Sequence, residues 1–131
     1  MWFSTHIWQV LLAVIVYFVV GSVWYSSALF AGVWARELGK KTGATGDART
    51  AMFATLGAMV VLVLVEAYMV QATGTSTAWR GAYLGAKLWL GFTATTALIN
   101  NVFQGASKKL FAIDQGYHLV GMVLAGLILA L

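Results

Sequence analysis

The stretch GSVWYSSALF, residues 21–30, places a glycine, three serines, a tryptophan and a tyrosine at the end of a run of apolar residues that begins at Ile7. No Lys or Arg precedes that run, and it is longer than the apolar core of a secretory leader, so it reads as a retained membrane span from Ile7 to about Phe30. A lipid-facing helix has little use for such a cluster. Small residues let helix backbones approach, and hydroxyls can bond across the contact. Ser22, Ser26 and Leu29 share one helical face, with Trp24 and Tyr25 beside them, and this face is expected to be the inner seam of a bundle. By contrast Trp2, Trp8, Trp34 and Trp79 suit the aromatic belts that anchor helix ends at the membrane surface.

Working outward, three more apolar segments of similar length follow, at about 51–70, 81–102 and 111–131. Each approaches the roughly 20 residues that a helix needs to cross about 30 Å of hydrocarbon. No period-two alternation of the kind a membrane strand would show is present, and helices satisfy their own backbone in lipid. The expected fold is therefore all-α, an integral membrane four-helix bundle forming a single domain over residues 1–131. Composition agrees: 61% of the 131 residues are hydrophobic and 9% charged, against about a quarter charged in soluble proteins. The chain has no Cys, which excludes disulfides and thiolate metal sites.

The gaps carry the polar residues. Residues 35–50 hold Gly39, Gly43 and Gly46 as turn signals, residues 72–79 are short and uncharged, and residues 104–109 form a tight turn. The formal net charge is +4, but the basic residues lie in these gaps and make no basic face interleaved with aromatics. No nucleic acid is expected as a partner; the partner is the lipid bilayer. Arg36, Lys40, Lys41 and Arg49 in the first loop and Lys108 and Lys109 in the third stand against Arg80 beside the second. The positive-inside rule then puts the first and third loops in the cytoplasm and both termini outside.

Few side chains inside the spans can carry chemistry. Glu66 in the second span and Lys87 in the third lie at matched depths, roughly 8–11 Å inside the outer boundary. An ion at that depth costs several kcal/mol unless paired or wetted. The two are expected to pair, as a structural pair that fixes helix register or, alternatively, as a proton or substrate site. A second cluster is expected at the cytoplasmic side: Trp24, Tyr25 and Ser26 with Asn100, Asn101, Asp114 and His118. Asp114 and His118 are four apart and share a helical face. The cluster is either a hydrogen-bonded cap or a small polar vestibule with a titratable imidazole. Two such groups do not make a metal site. No set of nucleophile, base and orienting group can be assembled, so neither an enzyme nor a cofactor is expected.

The run GSVWYSSALFAGVWAREL resembles the signature of the DUF1761 family of small bacterial membrane proteins: Gly21, Trp24, Tyr25 and Ser26, then Leu29, Phe30, Gly32 and Trp34. A later block resembles the same family through Trp89, Gly91, Phe92, Phe103, Asp114, Gly116 and Tyr117. The chain departs in having Ser27 where many members have proline. The resemblance implies four membrane helices in a bacterial inner membrane and supplies no activity. The expected function is a non-catalytic membrane protein, acting as a homo-oligomer or as an accessory subunit of a larger membrane complex. The alternative is a small proton- or ion-coupled transporter using Glu66 and Lys87.

Overall fold

The computed structural model describes residues 2–38 and 48–131, and every element among them is helical. A short α1 (Trp2–Thr5) leads into α2 (Ile7–Trp24); α3 (Ala31–Leu38), α4 (Ala48–Ala72) and α5 (Ala78–Leu88) follow. A π-helix at Trp89–Ala94 joins α5 to α6 (Thr95–Gln104), and α7 (Lys108–Leu129) ends the chain. The turn glycines and Lys40 and Lys41 of the first loop lie outside the described residues.

Three helical stretches, Ile7–Trp24, Arg49–Ala72 and Lys108–Leu129, are long and apolar enough to cross a membrane. Many large apolar side chains stand on the outside, among them Trp8, Ile15, Val61, Phe92 and Phe103. The expected third span departs from regular α-helix, because the π turn divides it into two shorter α-helices.

The first span is also shorter than expected. Helix α2 stops at Trp24, and residues 25–30 form turns before α3 restarts the helix. The Ser26 hydroxyl donates to the carbonyl of Val23 at 2.7 Å, a local bond that competes with continuing the helix. Other ends follow ordinary rules. Gly105 closes α6 at φ 65°, and Gly74 turns the chain after α4 at φ 67°, both in the left-handed region that favours glycine. Ser107 caps α7 by accepting from the amides of Lys109 and Leu110, at 3.1 and 3.2 Å. The same hydroxyl donates to a Glu37 carboxylate oxygen, tying α3 to the α6–α7 turn.

Helix α7 is the hub. It touches α2, α3, α4, α5, the π turn and α6, and it buries residues around most of its circumference, from Ile113 to Leu129. Helix α4 is little covered at its start, where residues 51–58 are exposed apart from half-buried Leu56.

Candidate functional site

Two faces of α7 differ in kind; on the same helix Gln115 is buried too, and its Oε1, like the Glu66 carboxylate, has no partner among the described residues. The face toward α2 is an aromatic seam. Val10, Ala13 and Tyr17 are buried, and Gly21 and Trp24 continue the same stripe at helical spacing. The Trp24 indole N–H donates to the Ile113 carbonyl at 2.8 Å, and the Tyr25 hydroxyl donates to Asp114 Oδ1 at 2.5 Å. One turn further in, Tyr17 Oη and His118 Nδ1 are hydrogen-bonded at 2.7 Å. The Tyr117 ring meets Tyr17 edge-on at 5.4 Å, and its hydroxyl reaches the Tyr17 carbonyl at 3.4 Å. Glycines make the room: a β-carbon at Gly121 would lie 2.6 Å from the Tyr17 ring, and one at Gly21 2.9 Å from Tyr117 Oη.

The expected cytoplasmic-side cluster therefore gathers around Asp114, with one member missing. Asn100, Asn101, Asp114 and Gln115 line a shared cleft of about 280 Å³. Asn101 is buried; its amide donates to the Ser107 carbonyl at 3.1 Å, and its Oδ1 accepts from Lys108 Nζ at 3.3 Å. Ser26 stays outside, bonded to its own helix. Ser22 is exposed and bonds back to Phe18, and Leu29 is exposed as well. The seam is thus carried by the aromatic residues and glycines, one helical position away from the serine face expected of it.

The opposite face of α7 is a glycine crossing. A β-carbon at Gly81 would lie 2.1 Å from the Gly126 carbonyl oxygen, and one at Gly85 would lie 2.2 Å from that of Met122. The backbones of α5 and α7 are in contact there. Glu66 of α4 rests its carboxylate on this crossing, with Oε2 2.9 Å from the β-carbon position of both Gly85 and Gly126. Glu66 is 2% exposed, and among the described residues neither of its oxygens has a hydrogen-bond partner.

The expected pairing of Glu66 with Lys87 is not made. Lys87 is exposed, and its ammonium lies 4.7 Å from the centre of the Tyr83 ring. The reason is azimuth. Gly85 faces Glu66, and Lys87 is two residues on, about 200° around the helix. Beside Glu66 opens a cavity of about 430 Å³ between α4 and the α5–π stretch. Leu62, Val65 and Met69 wall one side and Leu88, Phe92 and Thr93 the other, with Met122 at its base. The Thr93 hydroxyl points to Met122 Sδ at 3.3 Å.

Tyr17 and the Gly81–Gly126 contact were not anticipated, and Tyr117 entered only through the family resemblance. Tyr17 was within reach of the sequence, since positions 10, 13, 17, 21 and 24 mark a single helical face. The glycine contact was half visible: Gly81 and Gly85, like Gly121 and Ala125, are small residues four apart, the spacing of close helix packing, but Gly126, which meets Gly81, lies outside that spacing.

Fold and site define a helical membrane-type protein built on one hub helix, with a satisfied aromatic seam on one side and an unpartnered carboxylate on the other. The chain belongs to the family described as "Protein of unknown function (DUF1761)", whose family model matches residues 8–130. No curated protein and no solved structure matches the chain.

Proposed function

We propose that the chain is a four-helix protein of a bacterial inner membrane, with Ala78–Gln104 as the fourth crossing, and that it is a small proton-coupled transporter whose working group is Glu66. The observation that carries this reading is the burial of the Glu66 carboxylate with both oxygens unpartnered. A buried carboxylate that serves structure alone is paired or hydrogen-bonded, because desolvating it unpaired costs several kcal/mol. An intramembrane acid without a partner is a functional group by default. It has two ways to be neutral in effect: to hold a proton, or to hold a cation.

The aromatic seam on the other face of α7 adds groups that can carry a proton part of the way: Asp114 with Tyr25, and one turn on, His118 with Tyr17, whose hydroxyl and imidazole can pass a proton by reorienting hydrogen bonds. The six basic residues of the first and third loops assign the Asp114 end to the cytoplasm and both termini to the periplasm.

The test is proton flux in liposomes containing a pH-sensitive dye, driven by an imposed pH gradient. Flux should fall at least tenfold in Glu66→Gln and stay near the parent value in Lys87→Met. Parent-like flux in Glu66→Gln would end the reading.

A second reading, an oligomer or accessory subunit, draws support from α4. Its exposed segment 51–58 includes Thr55 and Gly57, polar and small residues that suit a further helix partner. Native mass measurement in mild detergent would show the additional chains.

A further inference from the structure

We propose that the cavity beside Glu66 is a binding site for a monovalent lipophilic cation, which enters sideways from the bilayer and exchanges with the proton on Glu66. The proposal rests on the transport reading above and names its substrate class.

The cavity is built from one face of α4 and the start of the π-helix. Leu62, Val65, Glu66 and Met69 fall at the spacing of a single helical stripe, so Glu66 is the one charged residue in an apolar wall, its carboxylate set behind the lining at the Gly85 and Gly126 backbones, where a ligand reaches it by parting the wall. Facing it are Leu88, Phe92 and Thr93. The volume of about 430 Å³ lies in the range of sites for small organic molecules, which are mostly apolar with a few fixed polar groups. The rim is open to the outside of the bundle, where Phe92 is 71% and Val65 56% exposed. In a membrane that outside is hydrocarbon. A ligand reaching the site by this path must be soluble in lipid, which an inorganic ion is not.

Charge selects the rest. Lys87 is turned away over Tyr83, and among the described residues no side chain hydrogen-bonds to either Glu66 oxygen. A neutral apolar ligand, or a lipid acyl chain, would fill the wedge and leave the carboxylate as it is. A cation with an apolar body satisfies wall and carboxylate together. Phe92, an exposed lining residue, adds an aromatic ring, a group that attracts cations, at the entrance. Phe92 and Thr93 of the π turn form part of this wall, and π-helical turns inside α-helices recur at functional sites. In the exchange no covalent bond to carbon changes: Glu66 releases one proton as one cation binds, and takes it back as the cation leaves.

The experiment uses the full chain in lipid nanodiscs and tetraphenylphosphonium as probe. Equilibrium dialysis gives binding, and a pH dye in weak buffer gives proton release. The parent should bind one probe per chain and release close to one proton. Glu66→Gln should weaken binding at least tenfold and abolish release. Val65→Trp, at an exposed rim position, should fill the wedge and weaken binding at least tenfold. That variant keeps the test decisive if Glu66→Gln fails to fold. Parent-like probe binding in Val65→Trp would overturn the site. Absence of saturable binding in a parent protein that still carries protons would overturn the substrate class, leave the wedge to lipid chains, and spare the transport reading. Binding with proton release but no flux, even with the probe supplied on the opposite side of the membrane, would do the reverse, supporting the site and removing transport.

Discussion

The two faces of α7 solve the same problem in opposite ways. Toward α2, each of the main polar side chains has found a partner: Trp24 with Ile113, Tyr25 with Asp114, Tyr17 with His118. Toward α4 and α5, the backbones touch through glycine, and the carboxylate set on top of the contact is left unsatisfied. Buried polar networks with every member satisfied rigidify a structure. An unsatisfied member is a cost that needs another explanation. The contrast teaches where to look for function in a small membrane bundle: at the polar group that packing alone does not account for.

The glycine crossing should be the most fragile point. Gly81→Leu drives a side chain into the Gly126 carbonyl, which is backbone and cannot swing aside. Overpacking usually costs about 1–3 kcal/mol. Here the helices must separate, and the loss should exceed about 3 kcal/mol in reversible detergent unfolding. Gly57→Leu is the control: nothing lies within 4 Å of its β-carbon position, and the change should fall within about 0.5 kcal/mol. Similar losses for both would mean that α5 and α7 do not cross where Gly81 and Gly126 place them.

The aromatic seam should yield less. Tyr25→Phe removes one hydroxyl donor to Asp114 and leaves the ring against Trp34 and Tyr117, at 5.7 and 5.6 Å. Hydrogen bonds to charged groups contribute about 1.5–3 kcal/mol. A loss in that range should appear in the same unfolding assay, and Asp114→Asn combined with it should be less than additive. Full additivity would place Asp114 in some other contact and dissolve the contrast between the two faces.

Much of the fold is legible in the chain. Four apolar runs and glycine-bearing gaps locate the helical stretches to within a few residues. What the sequence conceals is rotation and interruption. The serines of residues 21–30 looked like the seam because they are small and polar. The structure turns Gly21 and Trp24 inward instead, since room for the Tyr117 ring and a carbonyl for the indole matter more than hydroxyls that bond to their own helix. The π turn at Trp89–Ala94 leaves no mark in apolar periodicity. The site was half visible. Glu66 stands out as an acid in a greasy run and Asp114 and His118 as a helical pair, but the partner of Glu66 could be inferred only from depth. Depth along a helix is set by residue count; azimuth depends on which face packs, and that is decided by glycines far away in sequence.

The smallest expected effect separates the two accounts of Glu66 most sharply. If Glu66 and Lys87 formed an ion pair, each single neutralisation would strand a charge and the double change would recover much of the loss. The structure puts Lys87 on the outside of α5, over Tyr83, in a contact worth roughly 0.5–1 kcal/mol. Lys87→Met should therefore cost no more than that. Glu66→Gln exchanges one unpartnered polar group for another, and its effect should not depend on what occupies position 87. Across the cycle of Glu66→Gln and Lys87→Met, the coupling should stay within about 0.5 kcal/mol, the scatter seen for sites without shared partners. A coupling of about 1–3 kcal/mol would show that in the bilayer the ammonium reaches the carboxylate. Glu66 would then be a paired structural group like Asp114, the two faces of α7 would no longer differ, and the proton-coupled reading would lose the observation on which it stands.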